Sequence, residues 1–291
     1  MSITIEPVKE LIGGIVHVDK AHLGDDEVVA ACRAALEDRG VLVFPRMFLT
    51  DQEQLAFTDK FGLRVNFSKT VPGGKAADDP DVYKITLDKK INLEPEYVLG
   101  TWFWHIDGVT IDQPLPKATF LSARKLSDTG GQTEFASTFA AYDALPEEMK
   151  EQIAHLKVIH RMIASMRPVF RELTEEQKAK YERMATEMVH PLVWTQASGR
   201  KSLVLGSHAD EIVGMRVSDG RALITRLMEV AAQPQFTYRH EWQLGDFVVW
   251  NNCGVMHRVV PYADDTGRSM HRTTITGDQR LGLPLREFEA A

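Results

Sequence analysis

Thr101-Trp-Phe-Trp-His-Ile-Asp-Gly108 is the stretch on which the reading of this chain turns. His105 offers an imidazole and Asp107 a carboxylate, with one apolar residue between them. In an extended strand, residues i and i+2 point to the same side and the residue between them to the other. The two donors therefore face one pocket and Ile106 faces away, with aromatic bulk from Trp102 and Trp104 close by. A third donor on the same face would complete the two-histidine, one-carboxylate set of non-haem Fe(II) sites, which leaves coordination positions open. Alone the pattern is weak, because His-x-Asp also occurs at His17-Val-Asp19 and His208-Ala-Asp210 in a chain with 10 histidines. Context has to choose among the three.

The chain has 291 residues, 44% of them hydrophobic and 26% charged, which is ordinary usage for a globular domain with a substantial core. A formal charge of -7 speaks against a nucleic-acid partner, whose footprint would be basic and clustered. No run approaches the roughly 18 apolar residues of a membrane span. The opening Met-Ser-Ile-Thr-Ile-Glu lacks the basic and apolar regions of a signal peptide. A cytoplasmic protein with no nucleic-acid or membrane partner is expected. Cys32 and Cys253 make no disulfide framework, and Cys32 falls on the apolar stripe of a helix over 25–38.

Working outward, residues 2–19 read as strand, turn and strand, and Gly40 stops the helix over 25–38. Val41-Leu-Val-Phe44 is a buried strand, and Thr50-Asp-Gln-Glu53 is a capping box that opens a helix through Phe61. Residues 63–98 are rich in Gly, Pro, Asp and Lys, and read as an active-site loop or lid. Strands are expected over 105–107, 118–123, 132–136, 191–194, 202–205, 236–240, 246–250, 257–261 and 268–276. Helices are expected over 146–156, 174–188 and 218–232. Many short strands punctuated by turns, with a few helices, predict a mainly β fold: a single domain over 1–291 with a jelly-roll (double-stranded β-helix, cupin-like) core and helical decoration.

Trp250-Asn-Asn-Cys-Gly-Val-Met-His257 places a histidine a few residues past a tight turn, and Arg268-Ser-Met-His-Arg272 follows. A jelly roll sets distant strands side by side, so His257 can meet His105. An open Fe(II) site needs a co-substrate that both coordinates and reduces. 2-Oxoglutarate does so through its 2-oxo acid end, while its far carboxylate calls for a planar bidentate partner such as arginine.

Trp104-His-Ile-Asp107, Gly130-Gly-Gln-Thr-Glu-Phe-Ala136, Ala141-Tyr-Asp-Ala-Leu145, Trp250 to His257 and Arg268 to Arg272 occur in this order. In them the chain resembles the 2-oxoglutarate-dependent dioxygenases that include taurine dioxygenase and 2,4-dichlorophenoxyacetate dioxygenase, over nearly its whole length. The resemblance implies a jelly-roll enzyme using Fe(II), 2-oxoglutarate and O2, commonly a homodimer or homotetramer. It implies His105, Asp107 and His257 as iron ligands, and Thr133 and Arg268 on the far carboxylate of 2-oxoglutarate. Arg272 is implied near the co-substrate and the substrate anion; the plainer reading is an ion pair on the strand surface. Asn251 departs from the Asp common in the family and is read as a turn residue behind the ligands. Asp107 retains the carboxylate that halogenating relatives lack, so hydroxylation is expected.

Phe67 and Thr101 stand where taurine dioxygenases resemble one another in having histidine and asparagine, which implies a less polar substrate. Arg200 to Ala209, Ile212-Val-Gly-Met215 and Gln233 to Tyr238 resemble the phenoxyacetate branch, which would place His208 on the substrate pocket; a polar residue closing a turn is the competing reading. The expected substrate is a small anion oxidised at a carbon beside an ether oxygen, giving succinate and CO2 from 2-oxoglutarate. Alternatives are an alkyl sulfonate, a sulfate ester or an amino-acid-derived metabolite. A metal-binding jelly roll without catalysis is a further class, which would have no use for a clamp built from Thr133 and Arg268.

Overall fold

Strand Phe247–Asn251 is buried along its whole length because it lies in the middle of a seven-stranded sheet with side chains packed on both faces. In order, that sheet runs Thr4–Pro7, Gly14–His17, Val41–Phe44, Phe247–Asn251, Ala118–Lys125, Ser269–Ile275 and Tyr83–Ile85. This computed structural model describes residues 3–65, 81–92 and 95–290. Neighbouring strands are antiparallel except Gly14–His17 against Val41–Phe44.

Period-two alternation decides what each face does. Phe44, Phe120, Phe247 and Val249 point outward, onto helices Asp26–Arg39 and Asp51–Phe61, where Val28, Cys32, Leu36 and Phe57 meet them. Leu121, Ala123, Val248, Trp250 and Met270 point inward. They pack on Phe135 and Val255 of a three-stranded sheet made of Thr237–His240, Thr133–Ser137 and Val255–Val259. The two sheets form the jelly-roll core. Residues 138–231 add a flanking layer: strands Lys157–His160, Met188–Pro191 and Ala209–Ile212, with Leu283–Pro284, form a four-stranded sheet. Helices Met162–Met166 and Val217–Ala231 lie beside it.

The terminators behave as their chemistry dictates. Gly40 ends its helix at φ 72°, the capping box of Thr50 with Glu53 forms, and a second one forms at Thr174 with Gln177. Several expectations need correction. Residues 105–107 are not a strand: His105 makes an isolated bridge to His257, and the chain then turns through Gly108 at φ 81°. The helix expected to reach 188 ends at Met184, and strand Met188–Pro191 follows. The last core strand but one begins at Val255 rather than 257, so His257 lies in its middle. Lys157–His160 and Met162–Met166 had no signal, being too short for periodicity. Within 63–98, the described part includes the edge strand Tyr83–Ile85 and a helix over Pro95–Leu99; Phe67 lies outside the described residues.

Phe120 is fully buried between the rings of Phe57, Phe61 and Phe247. Phe120→Ala is expected to cost about 3–5 kcal/mol in urea denaturation; a loss well under 1 kcal/mol would show that this layer does not hold the sheet.

Candidate metal centre and its two cavities

Strand parity delivers the site's side chains to the gap between the sheets. Thr119 and Arg272 have the inward parity of Leu121 and Met270, while Thr133 and His257 have that of Phe135 and Val255. The segment bearing His105 and Asp107 is docked by two backbone hydrogen bonds, His105 N–H to the His257 carbonyl at 3.0 Å and His257 N–H to the His105 carbonyl at 2.9 Å. Gly206 lets the next loop close on that segment, since a Cβ there would lie 3.0 Å from His105 Cα.

The donor atoms of His105, Asp107 and His257 all lie within 4.8 Å of one another. His105 Nε2 is 3.9 Å from Asp107 Oδ1, and His257 Nε2 is 3.9 Å from Asp107 Oδ2. His105 Nδ1 is 2.9 Å from the Phe103 carbonyl, which places the proton on Nδ1 and leaves the Nε2 lone pair for the site. Burial holds both imidazoles below their ordinary values, well below for His257. Burial works against the charge of Asp107, but the Arg272 guanidinium and a hydrogen bond from Thr119 hold the carboxyl well below its usual range. Two neutral imidazoles and one ionised carboxylate are the protonation states that metal binding requires.

Two cavities meet at this cluster, sharing Thr101, His105 and Arg272. One, about 400 Å³ including space open to solvent, is lined by His257, Thr133, Arg268, Trp250, Leu121 and Met270 among others. Arg268 is only 2% exposed, and among the described residues no carboxylate lies within ion-pair distance of it. Its Nη2 donates to the Gly131 carbonyl at 2.9 Å, its guanidinium lies over the Tyr262 ring, and among the described residues its Nε has no hydrogen-bond partner. The Gly130-Gly131 pair is needed there: at φ 80°, a Cβ on Gly131 would sit 2.9 Å from Arg268 Nε. Thr133 accepts a hydrogen bond from the Trp242 indole at 3.0 Å, leaving its own hydroxyl hydrogen available.

The other cavity, about 650 Å³ including space open to solvent, lies on the Asp107 side. Its walls include Tyr97, Ile111, Met162, Ser165, Met166 and His208. Thr101 donates its hydroxyl to the Val98 carbonyl at 2.7 Å, so its polar group is already used. Burial lowers His208 to about 3, so it presents a neutral ring.

A model of the family described as "Taurine catabolism dioxygenase TauD, TfdA family" matches residues 4–274. The chain belongs to that family. It is 34% identical over 290 residues to the alpha-ketoglutarate-dependent 2,4-dichlorophenoxyacetate dioxygenase of Cupriavidus pinatubonensis, covering 96% of this chain and 99% of that protein. It is 31% identical over 286 residues to the alkylsulfatase of Acinetobacter baylyi, covering 94% and 86%. The crystal structure of AAD-2 in complex with Mn(II) and N-oxalylglycine matches with a TM-score of 0.79 at 33% identity, covering 96% of this chain and 99% of that one.

The structure thus gathers His105, Asp107, His257, Thr133, Arg268, Arg272, Thr101 and His208 around one pair of cavities. His208 lines the Asp107-side cavity and also occupies a turn, its carbonyl accepting from Arg161 N–H. The rival motifs resolve by location. His17 and Asp19 are exposed, and Asp210 points into an arginine cluster. Arg272 is largely covered rather than on the strand surface, its side chain 12% exposed and Nη1 3.3 Å from Asp107 Oδ1. His271 alternates away, onto Asp51. Asn251 closes the turn, accepting from Cys253 N–H and donating to Glu37. Trp102 and Trp104 line neither cavity: Trp104 lies under Arg258, and Trp102 packs with Tyr262. Sequence reasoning missed Thr119 and the methionine wall; the inward parity of Thr119 was its one available signal.

Asp210 accepts from Arg161, Arg167 and Arg221 at 3.0, 2.8 and 2.6 Å, tying the His208 turn to the end of helix Met162–Met166. Burial opposes its charge, yet the guanidinium groups hold its carboxyl below the ordinary value. A depressed carboxyl contributes stability above its unfolded-state value, about 3.9, and loses it as the pH falls through the folded-state value. Asp210→Asn should therefore lower the melting temperature at pH 7, with the gap to wild type closing below about pH 4. An equal gap across that range would contradict the ionic account.

Proposed function

We propose that the protein is an Fe(II)- and 2-oxoglutarate-dependent dioxygenase that hydroxylates a small anionic substrate, at a carbon beside an ether oxygen. The observation that carries this reading is Arg268. A guanidinium taken out of water bears an effective penalty of several kcal/mol unless an anion meets it, and among the described residues this one meets only the Gly131 carbonyl and Tyr262. It stands in a cavity whose lining also includes His257 and His105, so an anion held there can reach the metal donors with its other end. A dicarboxylate with a 2-oxo acid head fits both demands, and the relative crystallised with Mn(II) and N-oxalylglycine supports it.

His105, Asp107 and His257 would hold the metal, which when bound supplies the coordination of 2-oxoglutarate and O2 and the oxidising power. The chain's own part is placement. Arg268 grips the far carboxylate with its fork, and the Thr133 hydroxyl donates to the same group. Arg272, reaching both cavities, orients the substrate anion beside Asp107. Met162, Met166 and Ile111 offer an apolar wall and exclude water, which suits an aryl or alkyl body rather than a second charge. The used-up hydroxyl of Thr101 and the neutral ring of His208 point the same way. Hydroxylation beside an aryloxy oxygen yields a hemiacetal that collapses to a phenol and an oxo acid. The identity shared with an alkylsulfatase keeps a sulfate ester as the second reading, since the same anion handle would serve it.

Anaerobic titration of the Fe(II)-loaded protein with 2-oxoglutarate tests the site. A weak visible charge-transfer band should appear in wild type and vanish in His257→Ala. Arg268→Ala should need on the order of 100-fold more 2-oxoglutarate. Absence of the band in folded, iron-loaded wild type would contradict the proposal. Succinate release stimulated by aryloxyacetates, with phenol formed, supports the ether reading; stimulation only by alkyl sulfates would replace it with the second.

A further inference from the structure

A carboxylate does not orient itself. The terminal torsion of Asp is broad and two-fold, so rotamer preference alone leaves both oxygens of Asp107 free to swing. Three fully buried groups behind it remove that freedom. The Trp250 indole N–H donates to Asn252 Oδ1 at 3.1 Å, Asn252 Nδ2 donates to Thr119 Oγ1 at 2.9 Å, and the Thr119 hydroxyl donates to Asp107 Oδ2 at 2.8 Å. Trp250, Asn252 and Thr119 are 2%, 0% and 0% exposed, so water does not compete for these bonds.

The direction of the chain is forced. An indole nitrogen can only donate, so Asn252 must turn its oxygen to Trp250 and its amide hydrogens to Thr119. With that lone pair of Thr119 taken, its one hydrogen goes to the carboxylate, which only accepts. The far end is braced as well, because the Trp250 ring packs on His257 with centroids 4.6 Å apart. One side chain thereby sets the pose of two members of the cluster.

We propose that Trp250, Asn252 and Thr119 form a one-way hydrogen-bond relay that engages Oδ2 and so fixes the plane of the Asp107 carboxylate for the metal, with Oδ1 facing Arg272 Nη1 at 3.3 Å on the other side. This rests on the metal-binding reading given above. Thr119 and Asn252 are positioning residues, and Asn252, two places after Trp250, is the functional member of the turn rather than Asn251. Asn251 is spent on the turn itself and on Glu37.

The test is Mn(II) binding to the full-length metal-free protein, followed by electron paramagnetic resonance, beside thermal melts of the same metal-free samples. Thr119→Val keeps the shape and removes the donor; Asn252→Asp replaces the amide donor with a group that can only accept at neutral pH. Both should bind Mn(II) about 10–100-fold more weakly, with altered spectra, while Thr119→Ser should retain wild-type affinity. If Thr119→Val melts far below wild type, the contrast between Thr119→Ser and Asn252→Asp carries the same decision. Wild-type affinity in Asn252→Asp, or loss in Thr119→Ser equal to that in Thr119→Val, overturns the relay. Wild type that binds Mn(II) no better than His257→Ala overturns the metal reading beneath it, a distinct outcome.

Discussion

The backbones of His105 and His257 exchange two hydrogen bonds, and the site exists because of that exchange. The residues come from distant parts of the chain, one from an irregular segment and the other from mid-strand. A short turn stretch such as 105–108 has little means of holding its own conformation against chain entropy. Docked on the edge of the three-stranded sheet, it acquires the rigidity of that sheet. Ile106, buried on the opposite side, anchors it in the flanking core. The alternation then works without a true strand: His105 and Asp107 face the gap and Ile106 faces away.

Around that junction, charge is arranged by what each group lacks. Asp107 is supplied with donors from Arg272 and Thr119. Among the described residues Arg268 meets no acid, only the Gly131 carbonyl and Tyr262. A charged group kept dry with neutral partners is unfavourable for folding alone, and such positions mark sites where a ligand completes the electrostatics. The Gly130-Gly131 turn is the backbone consequence, since a side chain at either position would collide with Pro261 or crowd Arg268.

Much of this was legible in the residues. Caps, turn glycines and period-two runs located most strands and the longer helices, and the resemblance assembled donors that no local pattern could join. What stayed hidden was short or non-local. The Lys157–His160 strand and the Met162–Met166 helix are too brief for a periodicity to register, and the helix supplies Met162, Ser165 and Met166 to the wall of the larger cavity. Residues 105–107 read as a strand because bridge and strand share the same local alternation; only the partner chain distinguishes them. Asn252 looked like one of several turn residues, because its amide acts on Thr119, 133 positions away. Side chains whose role is to hold another side chain leave no spacing signature.

The measurement that bears most directly on the account is anomalous diffraction at the iron edge from crystals grown anaerobically with Fe(II) and 2-oxoglutarate. One strong peak is predicted, coordinated by His105 Nε2, the Asp107 carboxylate and His257 Nε2, with the far carboxylate of 2-oxoglutarate on Arg268 and Thr133. Iron bound elsewhere, or 2-oxoglutarate lying away from Arg268 with the guanidinium still lacking an anion, would contradict it.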